Sequence, residues 1–149
     1  MLVKAQVTIE GSRAAVWAAC ADIANAAAIV RGIEGIEVLE KPAHGLVGLK
    51  WRETRMLFGK PASVDKWITE AAENEFYKTR AESDGFVFLS TLRLSGLDGA
   101  ITLSSAHESR PQSLVARFVS LPMVFLFRGV MKKALLQDLV DIKAAIEAT

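Results

Sequence analysis

The chain is poor in the residues that usually announce chemistry. It holds one cysteine, Cys20, one tyrosine, Tyr77, and two histidines, His44 and His107, among 149 residues. A single cysteine excludes an intrachain disulfide. Two separated histidines and one cysteine give no zinc arrangement, so no metal is expected. The glycines at 32, 35, 45, 48 and 59 stand in separate turns. No glycine-rich loop cradles a phosphate, and no cofactor is expected. Neither sign of charge is in excess: 18 Lys and Arg face 17 Asp and Glu, interspersed, for a net charge of +1. A nucleic-acid binder would concentrate its basic residues on one face. Long clean apolar runs are missing too. Between 114 and 131, Arg117, Ser120, Pro122 and Arg128 break a stretch that would need about 20 uninterrupted apolar residues to span a bilayer. The first ten residues alternate and do not resemble a leader, so a cytoplasmic protein is expected.

What is present is a core. Hydrophobic residues make up 51% and charged residues 23%, which suits a globular chain whose 149 residues form one domain. Residues 2–10 alternate, with Val3, Ala5, Val7 and Ile9 on one side, as in a half-buried strand. Gly11-Ser12 breaks the strand, and Ser12 is placed to cap a helix over 13–19 anchored by Val16 and Trp17. Asp22 is placed to cap a second, alanine-rich helix over 23–29, which Gly32 and Gly35 end. Strands are then expected over 36–41, 48–58, 62–71, 75–83, 86–95 and 101–109, with Asp84-Gly85 as a hairpin turn. From 130 to 148, Met131, Leu135, Leu139, Ile142 and Ile146 recur at helical spacing. Lys132, Lys133, Gln137, Asp138, Asp141 and Lys143 fall mainly on the solvated remainder. Pro122 and Gly129 are expected to kink or interrupt this helix. The pattern predicts an α+β fold: a seven-stranded curved antiparallel sheet gripped by a long C-terminal helix, with two short helices after the first strand.

The order β-α-α-β₆-α resembles the START-like superfamily, also called SRPBCC, in its polyketide cyclase/dehydrase and lipid-transport branch. Ile9-Glu10-Gly11-Ser12 leading to Val16-Trp17 and Asp22 carries the resemblance at the start. Arg52-Glu53-Thr54-Arg55 with Phe58-Gly59-Lys60, and Ala134-Leu135 through Asp138-Leu139 to Ile142-Lys143, carry it later. The resemblance implies a helix-grip fold with a cavity between sheet and helix. Where related chains tend to carry a histidine before the glycine of the Phe86 hairpin, this chain has Asp84, so no role attached to that histidine transfers here.

Alternation over 48–58 turns Leu49, Trp51, Glu53, Arg55 and Leu57 inward and Lys50, Arg52 and Thr54 outward. Buried charges need partners. A three-residue turn over 59–61 sets Arg55 opposite Asp65 and Glu53 opposite Trp67. A two-residue turn sets Arg55 opposite Val64 and Glu53 opposite Lys66. The first is favoured because it gives Arg55 an acid, making Glu53, Arg55 and Asp65 a polar floor. Tyr77, Thr79, Ser90, Ser105 and His107 are further inward candidates. Glu53, Tyr77 and His107 are the candidates for proton transfer. The expected ligand-binding set is Trp51, Glu53, Arg55, Trp67, Tyr77, Phe86, Phe88, Ser90, Phe118, Met131 and Leu135. Leu121, Met123, Phe125 and Phe127 add apolar bulk, and a bulky residue at Ala134 is expected to fill the cavity. These features imply binding or carriage of a hydrophobic small molecule, such as a lipid, isoprenoid or polyketide-like ring. One alternative is a cyclase or dehydratase using the acid-base candidates. Another is a module whose stretch over 114–127, with Arg117 and Arg128, docks on a membrane surface or a partner.

Overall fold

The computed structural model describes residues 1–113 and 127–149 with their side chains, and residues 114–126 only as part of a helix. Strand β1 (Leu2–Ile9) leads into helix α1 (Arg13–Ala21), a 3₁₀ turn (Ile23–Asn25) and the short helix α2 (Ala26–Ile29). Strands β2 (Ile33–Glu40), β3 (Lys50–Leu57), β4 (Lys60–Ala72), β5 (Phe76–Ser83), β6 (Phe86–Leu97) and β7 (Ala100–Pro111) follow, and helix α3 (Leu114–Glu147) ends the chain. All seven strands form one antiparallel sheet in the order β1-β7-β6-β5-β4-β3-β2. Five pairings of consecutive strands and one return of β1 against β7 generate this order.

Ser12 caps α1 as its residue type dictates, its hydroxyl accepting the Ala15 amide at 3.1 Å. Asp22 makes no such cap; its carboxylate instead accepts both bonds from the Asn25 amide side chain. Gly35 does not end the second helix but lies inside β2, at a register shift between Ile33 and Gly35. Nor does Gly129 interrupt α3, which continues through it, while Pro122 lies outside the described residues.

The main core sits where α1 and the second half of α3 meet β1, β6 and β7. Ile9, Val16, Trp17, Cys20, Leu94, Ile101, Leu103 and Leu139 pack there as one buried cluster. A smaller cluster of Ile23, Leu49, Trp51 and Ile68 closes the β2–β4 side. The helical stripe expected for α3 is observed: Leu139 is buried, and Met131, Leu135, Ile142 and Ile146 are half-buried. Asp138 and Asp141 depart from the expectation of solvation. Asp141 is buried and Asp138 half-buried, paired with Arg31 after α2 and with Arg55 of β3 respectively. Ala134 is exposed, so a larger side chain there would extend into solvent and fill nothing.

The β3–β4 hairpin adopts neither expected register. Leu57 pairs with Lys60, Arg55 with Ala62, Glu53 with Val64 and Trp51 with Lys66. The turn is the two residues Phe58 and Gly59, with φ of 51° and 79°, the double left-handed geometry of a tight hairpin. A phenylalanine at such a position carries no turn signal, which is why the sequence pattern favours a turn further along, at 59–61. This register sets Asp65 opposite Arg52 on the outer face, where Arg52 Nε donates to it at 2.8 Å. Trp67 shares that outer face, opposite Lys50 and beneath its ammonium. Leu57, expected inside, is exposed at the hairpin end.

Candidate functional site

The concave face of the sheet, under α3, carries two polar groups of residues. The first is a chain of charges that fastens α3 to β3. The Glu53 carboxylate, 6% exposed, accepts from Arg55 Nε at 2.8 Å, from Lys66 Nζ at 2.9 Å and, weakly, from Trp51 Nε1 at 3.4 Å. Arg55 then forks onto Asp138 of α3, with bonds of 3.2 and 2.8 Å. A two-pronged guanidinium-carboxylate pair fixes orientation as well as distance. Burial alone would raise the Glu53 pKa, but the Lys66 and Arg55 charges and their hydrogen bonds outweigh it and hold it at about 2. Burial likewise works against the Arg55 charge, and Asp138 and Glu53 reverse that and raise its pKa. Gly32 leaves room for this fork: a Cβ there would meet Arg55 Nη1 at 2.9 Å.

A parallel fastening lies one turn along α3. The Asp141 carboxylate accepts the Arg31 amide at 2.9 Å, Arg31 Nε and Nη2 at 3.2 and 3.0 Å, and Gln137 Nε2 at 2.9 Å. Charge alone does not mark Asp138 or Asp141 as site residues. Spacing does mark Asp138, since position 138 continues the Met131, Leu135, Ile142 spacing and so lies on the stripe that faces the sheet. Lys66 is a partner of Glu53 in the sequence pattern only under the disfavoured register. In the structure it reaches Glu53 as a diagonal neighbour across β3 and β4.

The second group is Ser90 and His107, directly paired across β6 and β7. Ser90 Oγ and His107 Nδ1 lie 2.9 Å apart. The other ring nitrogen, Nε2, is buried and has no hydrogen-bond partner among the described residues. Phe88 stacks against the imidazole with centroids 5.8 Å apart and planes 21° apart, and Phe86 continues the row at 6.2 Å and 22°. Burial first, and then the positive charges of Lys66, Arg55 and the N-terminus, push the His107 pKa down to about 4. The imidazole is therefore neutral at pH 7, with Nε2 unpaired among the described residues.

Tyr77 belongs to neither group. Its hydroxyl donates to the Cys20 carbonyl at 3.4 Å and its ring meets Trp17 edge-on at 6.1 Å. Burial raises its pKa, with Cys20 and Glu53 adding to the effect. The Cys20 thiol is pushed up to about 12 by burial, which suits an inert packing residue. His44 is exposed on the loop before β3. Among the expected site residues, Trp51, Glu53, Arg55, Tyr77, Phe86, Phe88 and Ser90 lie on the inner side, whereas Trp67 does not. Met131 and Leu135 face inward from α3 and are half-buried. Phe118, Leu121, Met123 and Phe125 lie outside the described residues. Phe127 is half-buried against Phe58. No group of three metal-ligating side chains occurs among the described residues.

No protein-family model matches the sequence, and no curated protein matches it. Solved structures do. A protein of Thermus thermophilus superposes with a TM-score of 0.79 at 13% identity, over 99% of this chain and 98% of that one. A START superfamily protein from Mycobacterium smegmatis gives 0.77 at 17% identity, over 99% and 97%. Zhui aromatase/cyclase from Streptomyces gives 0.75 at 19% identity, over 99% and 93%. Identities this low carry the fold and not the activity. With its continuous antiparallel sheet, its two small helices after β1 and its long closing helix, the chain has the START-like helix-grip fold.

Proposed function

We propose that the protein binds a hydrophobic small molecule between the concave face of the sheet and α3, with a polar atom of the ligand on His107 Nε2. The observation that carries this reading is the buried imidazole nitrogen, which has no partner among the described residues. A buried polar atom without a partner costs roughly 1–3 kcal/mol, and native structures keep few of them. A ligand oxygen would remove that cost. The surroundings suit an apolar, flat body: Phe86 and Phe88 run on from the imidazole as near-parallel rings, while Met131 and Leu135 offer adaptable apolar contacts from the helix. Polyketide-like rings carrying a hydroxyl or carbonyl meet this description most fully, and lipid or isoprenoid ligands meet its apolar and polar-atom requirements.

Binding is favoured over acid-base catalysis by the state of the other candidates. Glu53 is an ionised carboxylate saturated by two cations, and Tyr77 is committed to Cys20. Neither is free to exchange a proton with a substrate. The neighbouring aromatase/cyclase fold supports an interior that accepts ring systems, and no more than that.

Titration with a pair of probes tests the polar contact. 2-Naphthol is expected to bind about tenfold more tightly than naphthalene, the factor that about 1.4 kcal/mol of hydrogen bonding confers. In His107→Phe this preference should vanish while naphthalene binding persists. Equal affinity of the wild type for both probes would remove His107 from the site.

A further inference from the structure

Apolar side chains gather at one exposed place that the interior site does not use. The tip of the β3–β4 hairpin presents Met56, Leu57 and Phe58 at 47, 54 and 79% exposure. Phe58 occupies a left-handed backbone position, φ 51°, where asparagine before glycine is the favoured choice and a bulky aromatic is a poor one. A local rule broken at the most exposed point of a hairpin points to a use for the side chain. Phe58 also touches Phe127 edge-on at 5.4 Å, which joins the tip to α3, where Val130 is exposed as well.

The exposed charges nearest the tip in the chain are basic, Lys60 at the turn and Arg128, Lys132 and Lys133 on the stretch of α3 that Phe127 begins, in a chain whose total charge is nearly balanced. Exposed aromatic and aliphatic tips flanked by basic residues match the demands of a membrane interface, with apolar groups at the acyl boundary and cations at anionic headgroups. No helix among the described residues is long and apolar enough to cross a membrane, so the contact would lie on the surface.

We propose that the Met56-Leu57-Phe58 tip, with Phe127 and the basic residues beside it, docks on an anionic phospholipid bilayer. Phe58 enters the acyl boundary, and Lys60, Arg128, Lys132 and Lys133 meet the headgroups. This surface stands independently of the interior ligand site.

Vesicle flotation tests it, using phosphatidylcholine alone and phosphatidylcholine mixed with phosphatidylglycerol. The wild type should float with the mixed vesicles, should not float with the neutral ones, and should be released as salt rises. Phe58→Asn creates the preferred asparagine-glycine turn, so it should fold at least as well as the wild type, as a thermal melt would confirm. It should lose about tenfold or more in vesicle partitioning, roughly the contribution of one buried aromatic. Leu97→Ser, which removes an 83% exposed leucine from the opposite end of the sheet, should leave flotation unchanged. The proposal is overturned if the wild type stays in solution, if Phe58→Asn floats as well as the wild type, or if Leu97→Ser loses as much. It is also overturned if the patch proves to join two copies, seen as a dimer that Phe58→Asn makes monomeric without any flotation.

Discussion

Glu53→Gln is expected to lower the unfolding free energy by about 3 kcal/mol, as removal of one partner from a buried ion pair commonly does. Glutamine keeps the shape and removes the charge. Arg55 would keep Asp138, while Lys66 would lose the acid it pairs with, leaving its positive charge uncompensated in the interior. The same residue sets an acid limit on stability. Its carboxyl is held at about 2 in the folded chain against an ordinary value of 4.5. A depressed carboxylate pKa favours the folded state above the unfolded value, and that contribution is lost as pH falls from about 4.5 toward 2. The difference of about 2.5 units corresponds to about 3 kcal/mol. Urea unfolding across this range should show the wild type weakening more steeply than Glu53→Gln, so that the two curves converge near pH 2. Curves that stay parallel would mean that Glu53 is not the group that titrates.

Leu139→Ala should cost a similar amount, about 3 kcal/mol within the 2–5 kcal/mol span of buried leucine truncations. Leu139 is 1% exposed and packs in the cluster with Ile9, Val16, Trp17, Ile101 and Leu103. That cluster holds the second half of α3 on β1, β7 and α1. Truncation removes methyl groups from a site whose neighbours, on three separate elements, cannot all move inward to close the void. Leu136, three residues earlier, is 41% exposed, and Leu136→Ala should stay within about 0.5 kcal/mol. Chemical unfolding of both variants reads the contrast directly. Equal losses would mean that α3 presents a different face to the sheet.

Much of this architecture was legible because local patterns agreed with the global fold. The alternation of β1, the Ser12 cap, the Asp84-Gly85 turn and the helical stripe from Met131 to Ile146 each specify an element by a mechanism that needs no tertiary context. The β3–β4 register was not legible, because it depends on Phe58 adopting a backbone conformation that its side chain disfavours. From that one turn follow the outward placement of Trp67 and Asp65 and the exposure of Leu57. The roles of Asp138 and Asp141 were missed for a different reason. Charged residues on a helix are usually solvated, and only the arginines brought in from β3 and the loop after α2 make burial of these two tolerable. Ser90 and His107 were separately visible as inward candidates. Their pairing needed the β6–β7 register, and the nitrogen left unpaired among the described residues needed the structure.

Native mass spectrometry of the purified protein tests the binding reading most directly, before and after incubation with excess 2-naphthol and with a denatured sample for reference. The account predicts a one-to-one adduct, either a co-purified small molecule or the added naphthol, that denaturation releases and that His107→Phe holds less well. An unliganded mass under both conditions would contradict it, and would mean that sheet and helix close over a filled core.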